Sequence, residues 1–306
     1  MSLFKETKIQ EQEEFAEGDL LSAFETSHKR HRVDEDDEEL VMSDDIEDLS
    51  AVNTRARLCW ARHLCRLLER AVGFDSKSGL IEQDVFLVSL VDIRCAKGSA
   101  EENVDLEPIK KRLRQGLRGY NYIGAIEPAL YSSITWFETN FDRQRCISWH
   151  LHALVWGVSR GEIKTLVRRL RRSGDYIPIT PAQLGADVRS AIQGKFSGLI
   201  GYVLKPPTHS YRIGIDRVHE RQTGEIRHKQ YRSRLRPGER LTLYLQMRHL
   251  DCDQMWIAGG GARQIRSRCR RDALAAVRRS DRDQIDIGVA RHRPRRRLTG
   301  VNPIFR

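Results

Sequence analysis

The chain has 306 residues and a mass of 35.4 kDa, enough for one large domain or one domain with appendages. No apolar run reaches the roughly 18–20 residues that span a bilayer, and MSLFKETKIQEQEEF lacks the apolar core of a secretory signal. The six cysteines form no C-x-x-C pair, which argues against a zinc ribbon or a disulfide scaffold and sets the expectation of a cytoplasmic protein.

The net charge of +11 is unevenly spread. Residues 1–50 hold 17 acidic and 5 basic side chains, whereas residues 151–306 hold 33 basic and 13 acidic ones. Such asymmetry points to a polyanionic partner. The acidic segment, with VDEDDEELVMSDDIEDLS at 33–50, carries too little apolar surface to offset the entropy of ordering and is expected to be disordered.

In chain order, TRARLCWARHLCRLLERAV at 54–72 spaces Leu58, Ala61, Cys65, Leu68 and Val72 for one helical face, with Gly73 as its stop. VFLVSLVDIR at 85–94 is an apolar, β-branched run that reads as a strand buried on both faces. VDLEPIKKRLRQGLRGY at 104–120 reads as a helix with a basic outer face. Two extended segments follow at 122–127 and 129–137, then a turn marked by Asn140 and Asp142, then the strong strand CISWHLHALVWG at 146–157. Ser159 caps an expected helix over 159–174 whose other face carries Arg168, Arg169, Arg171 and Arg172. A second helix is expected from about Leu184 to Lys205, stopped by Pro206 and Pro207. LTLYLQM at 241–247 is expected to be a strand. The order of elements fits an α+β fold, an antiparallel sheet with helices on one side. The expected organisation is a disordered acidic tail at 1–50, a helical lead-in at 51–80, a central domain at 81–250 and an Arg-rich basic tail at 251–306.

Three constellations carry chemistry. In a strand, residues i and i+2 face the same way, so His150 and His152 project together, about 6.5–7 Å apart along the backbone. That spacing suits two ligands of one metal ion, though a pair of half-exposed histidines has the same pattern. In a helix, Tyr202 and Lys205 share a face, and a nearby cation favours tyrosinate, the better nucleophile. Glu127 ends the segment YIGAIE and can add an oxygen ligand to the two imidazoles. Glu138 and Asp142, nearer in sequence but in the expected turn, compete for that role. Tyr131, Trp136, Trp149 and Trp156 can pack in the core or stack on unpaired bases.

An apolar strand, a carboxylate-bearing strand, a His-hydrophobic-His strand and a helix with Tyr-x-x-Lys, in that order, resemble the HUH endonucleases. More narrowly they resemble the rolling-circle replication initiators of plasmids and single-stranded DNA phages. The resemblance covers residues 85–210: Phe86-Leu87-Val88-Ser89-Leu90 matches the first motif, His150-Leu151-His152 the second, and Tyr202 with Lys205 the third. It implies an antiparallel sheet with an RRM-like nuclease topology. It also implies a divalent ion, Mg²⁺ or Mn²⁺, held by His150, His152 and Glu127. Tyr202 would then nick single-stranded or hairpin origin DNA through a 5′-phosphotyrosine, with Lys205 stabilising the developing charge. The arginines at 168, 169, 171 and 172 would bind DNA phosphates.

The chain lacks G-x-x-x-x-G-K-[ST], so a separate host helicase and a polymerase are the implied partners, with no membrane. A single-tyrosine transposase or a relaxase shares these motifs, and a non-catalytic basic nucleic-acid-binding protein would share the charge. Tyr231, followed by Arg234, is a further tyrosine whose participation the sequence leaves open.

Overall fold

The protein is described from a computed structural model, which covers residues 6–43, 48–75, 81–132, 145–180, 183–190 and 196–278. It is a mixed α/β structure built on an eight-stranded, mainly antiparallel sheet flanked by helices. The sheet runs β5(Ala186–Ser190), β1(Val85–Leu90), β4(Arg145–Trp156), β3(Asn121–Ser132), β6(His209–Ile215), β7(His228–Arg234). Two short strands sit off this path: β2(Ala96–Gly98) beside β4 and β8(Trp256–Gly259) beside β3. Only the β3–β6 pairing is parallel among those described.

Both central strands change partners at the same level. β4 pairs with β2 through Ser148 and with β1 from Leu151 onward, leaving Trp149 and His150 between them. β3 pairs with β8 over 122–125 and with β6 over 130–132, leaving Ile126 to Ala129 between them. This split explains why Pro128, which has no N–H to give a ladder, sits inside one continuous strand where two segments were expected. The interruption falls where β3 has no second neighbour.

Helices cover both faces, not one. α4(Glu107–Gly116) lies on the face of Leu90 and Leu151, with Gly116 set close against the Leu90 side chain. α3(Thr54–Ala71) lies on the opposite face, where Trp60 meets Trp256 of β8 with ring centroids 6.1 Å apart. α5(Arg160–Arg172) opens with a Ser159–Glu162 capping box and buries Ile163, Leu166, Val167 and Leu170, as its stripe foretells.

Several expectations are corrected. The acidic segment expected to be disordered forms α1(Glu6–Thr26) and α2(Glu35–Met42). Of its apolar residues Ile9, Ala23, Phe24, Val41 and Leu49 are buried, whereas Phe15 and Met42 stay exposed. Its acids pair with the basic body: Glu13 with Arg57, Asp19 with Arg234 and Arg240, Asp37 with Arg248. The charge read as repulsion within a tail is therefore attraction across an interface.

The segment from 251 read as a basic tail instead supplies β8 and α9(Ala262–Arg278), a helix that packs its buried Ala262, Cys269, Ala273 and Val277 toward α3. Residues 279–306 lie outside the described residues. The main hydrophobic core draws on Ile9, the α3 residues and the α9 residues together with the sheet, so it crosses the expected boundaries at 50, 80 and 250.

LTLYLQM is helical, not extended, within α8(Pro237–Met247). Leu241, Leu243, Tyr244, Leu245 and Met247 are all buried, and a helix buried all round has no polar stripe to betray its period. The helix expected over 184–205 is divided: β5 takes the free edge of β1, and α6(Phe196–Leu204) follows. The turn expected at Asn140 and Asp142 lies outside the described residues, as do Trp136 and Glu138. No helix among those described is long and apolar enough to cross a membrane.

Candidate metal centre

Antiparallel register places Glu127 of β3 directly opposite His150 of β4, and Ala125 opposite His152. On the other side of β4, Ser89 of β1 stands opposite His152. Alternation then turns Glu127, His150, His152 and Ser89 to one face, while Ile126 and Leu151 fill the other. Ligand atoms of Glu127, His150 and His152 all lie within 4.8 Å of one another. Glu127 and His150, 23 residues apart in sequence, are neighbours because β3 and β4 pair antiparallel.

The two imidazoles are held for ligation. His150 Nδ1 donates to the Ser148 carbonyl at 3.2 Å, which fixes the proton on Nδ1 and leaves Nε2 bare. His152 Nδ1 contacts the Ser89 hydroxyl at 2.7 Å, a group able to donate or accept. The two Nε2 atoms face each other at 3.1 Å. Two nitrogens this close can serve as adjacent ligands of one ion.

Burial in this split of the sheet governs the charges. Desolvation pushes the Glu127 carboxyl up to about 7, opposed by Lys205 and Arg57. It pushes His150 down to about 4 and His152 well below its usual range, with the neighbouring imidazole adding to the latter. Glu127 Oε1 is buried without a hydrogen-bond partner among the described residues. An orphaned carboxylate oxygen beside two neutral, oriented imidazoles is a donor set that fits a divalent cation. The three residues therefore can hold one.

α6 brings the tyrosine to this cluster. The Tyr202 hydroxyl lies 3.5 Å from His152 Nε2, and the two rings meet edge to face with centroids 4.8 Å apart. Lys205 does not touch the hydroxyl: its ammonium lies over the Tyr202 ring, 3.5 Å from the centroid, and 3.9 Å from Glu127 Oε2. Burial raises the Tyr202 pKa, helped by Glu127 and opposed by Arg189 and Arg232.

Further residues at the site escaped the sequence reading. Arg57 of α3 donates to the Leu204 carbonyl at 3.3 Å, at the end of the tyrosine helix, and is itself gripped by both carboxylate oxygens of Glu13 at 2.8 and 2.9 Å. Arg189 of β5 and Arg232 of β7 act on Tyr202 electrostatically from two separate strands, each favouring its ionised form. Ser89 had a signal, since it is the one polar residue inside an apolar strand. The others had none, because their relation to the site depends on long-range pairing.

The arginines at 168, 169, 171 and 172 are all exposed, and among the described residues none bonds to the cluster. Arg171 instead donates to the Ala186 carbonyl and pairs with Asp187 at 2.9 Å. Tyr131, Trp149 and Trp156 are buried in the core, so base stacking on them has no access. Tyr231 is exposed on β7 and donates its hydroxyl to the Ile215 carbonyl. The chain matches no family model, no curated protein and no solved structure.

Proposed function

We propose that this chain is a metal-dependent, single-tyrosine DNA nickase-ligase of the HUH kind that initiates rolling-circle replication. The observation that carries this reading is the Tyr202 hydroxyl 3.5 Å from His152 Nε2, at the edge of the Glu127, His150 and His152 cluster. A nucleophile so placed beside a cation site is the arrangement that phosphodiester transfer requires.

A divalent cation held by Glu127, His150 and His152 supplies polarisation of a phosphate oxygen. Two imidazole ligands favour a transition ion such as Mn²⁺ over Mg²⁺. Tyr202 Oη attacks phosphorus in line, the bond from phosphorus to the 3′ oxygen breaks, and a 5′-phosphotyrosine forms. The proton lost by the phenol is balanced by the one gained at the departing 3′-hydroxyl. Arg189 and Arg232 favour the tyrosinate, and Lys205, held by Glu127 and the Tyr202 ring, offers a positive charge close to the phosphoryl group. Because the tyrosyl ester keeps the energy of the cleaved bond, the 3′-hydroxyl can reverse the reaction, and rejoining needs no nucleotide. The exposed arginines at 168, 169, 171 and 172 would contact single-stranded or hairpin origin DNA at a distance from the reaction. A host helicase and polymerase would act with the nicked strand.

The test uses single-stranded hairpin oligonucleotides drawn from the DNA flanking the gene, incubated with protein and Mn²⁺. A 3′-labelled oligonucleotide should become protein-linked and a 5′-labelled one should be released, with both reactions lost in Tyr202→Phe. An adduct that survives Tyr202→Phe removes Tyr202 as nucleophile. Tight, salt-sensitive binding with no adduct under any metal would leave a non-catalytic nucleic-acid-binding protein.

A further inference from the structure

Far from the cluster, a cleft of about 670 Å³ opens between α4 and the start of α9. Its walls carry Lys111, Arg114 and Arg118 from the α4 side and Arg263 and Arg266 from α9, and no carboxylate among the described residues lines it. Two of the five cations are engaged. Arg266 grips Asp253 through two nitrogens, each 2.8–2.9 Å from a carboxylate oxygen, and Arg114 reaches Glu107 at 4.0 Å. The side chains of Lys111, Arg118 and Arg263 have no acidic partner among the described residues, and all three residues are exposed. Like charges gathered without counter-charges raise the local positive potential, which an anion relieves.

The backbone is shaped for close approach. Gly260 turns the chain with φ +57 between β8 and α9, a conformation that glycine adopts without strain. The floor is Tyr122, whose buried ring lies beneath Gly259. With that ring buried, no aromatic face among the described residues of the cleft is offered for a base to stack on. Lys111 and Arg114, at i and i+3, share a face of α4, and Arg118 follows just past the helix end at Gly116. Cations on both walls of the cleft, with no aromatic face among the described residues to hold a base, suit consecutive phosphates of a polymer better than the compact phosphate of one nucleotide.

We propose that this cleft is a second anion site, which holds the phosphate backbone of a single nucleic-acid strand without regard to sequence. It stands apart from the metal centre. Tyr122 and Glu127 lie five residues apart on β3, about 17 Å, with side chains on opposite faces of the sheet. The inference rests on charge and shape and stands whether or not the chain nicks DNA.

The test measures binding of a mixed-sequence 30-nucleotide single strand to the full chain, in EDTA, by fluorescence anisotropy at several salt concentrations. The double variant Arg118→Glu/Arg263→Glu should bind at least tenfold more weakly, and its slope of log K against log salt should be shallower by about 1.4, near 0.7 for each phosphate left without its cation. Melting temperature and Mn²⁺ affinity should stay as in the wild type. Lys111→Ala, a milder exposed change, should give about half that reduction in slope, and serves if the double variant does not fold. Wild-type affinity and slope in these variants would overturn the proposal. So would displacement of the strand by ATP at concentrations where inorganic tripolyphosphate has no effect, which would mark a nucleotide pocket.

Discussion

Glu127 and His150 face each other across one rung of the β3–β4 ladder, at the level where both strands exchange one neighbour for another. Alternation turns both side chains to the face that also carries His152, so three ligand atoms converge within 4.8 Å of one another. Removing any one of Glu127, His150 or His152 should therefore abolish tight binding of a divalent ion. Glu127→Gln and His150→Ala are expected to weaken Mn²⁺ binding by roughly a hundredfold or more. Isothermal titration calorimetry reads this directly, and unchanged affinity would show that the cluster is not the ion's site.

Ser89 orients His152 through its hydroxyl at 2.7 Å. Outer hydrogen bonds of this kind fix tautomer and ring angle, and their loss costs about 10–100-fold in metal affinity. Ser89→Ala should fall in that range, with a melting temperature close to wild type. Full retention of affinity would mean that Ser89 merely fills space.

The pH dependence of metal binding should come from Glu127 alone. A bound cation needs the carboxylate ionised and both imidazoles neutral. Burial holds Glu127 up to about 7 and His150 down to about 4, with His152 also lowered. The imidazoles are thus neutral throughout the range from 5 to 7, and only protonated Glu127 competes with the ion. Mn²⁺ affinity should rise about tenfold per pH unit from 5 to 7 and flatten above. An ordinary carboxyl would give a flat profile from pH 5.5, and that result would contradict a buried Glu127.

Arg57 and Glu13 form an ion pair with side chains 17% and 4% exposed. Truncating one partner strands the other charge in the interior, a change that costs about 3–5 kcal/mol. Glu13→Ala should lower stability by about 3 kcal/mol in urea titrations, and the second change Arg57→Leu should recover part of that loss. Deletion of residues 1–43 should likewise destabilise the chain, whereas a loose tail would be removable at no cost.

Elements with a one-sided pattern were legible in the sequence. α3 shows a stripe and a glycine stop, α5 a stripe and a cap, and β1 and β4 are apolar runs bounded by polar turns. The elements that local pattern missed share a cause in long-range packing. α8 is buried all round, so its period has no polar side to mark it. β5 exists because β1 offers an edge. The acidic segment folds because Arg57, Arg234, Arg240 and Arg248, distant in sequence, await its carboxylates.

Local chemistry by itself determined that His150 and His152 project together, because the strand period follows from backbone geometry alone, and it put Lys205 within a turn of Tyr202, although the helix ends at Leu204. It also set the uneven charge along the chain. Only the tertiary structure decided that Glu127 is the carboxylate opposite His150, that Lys205 lies over the tyrosine ring instead of its hydroxyl, and that the acidic end belongs to the folded body. Those outcomes depend on strand register and on which charges meet across the core. Both are settled by burial of surface between residues far apart in sequence, which no local pattern records.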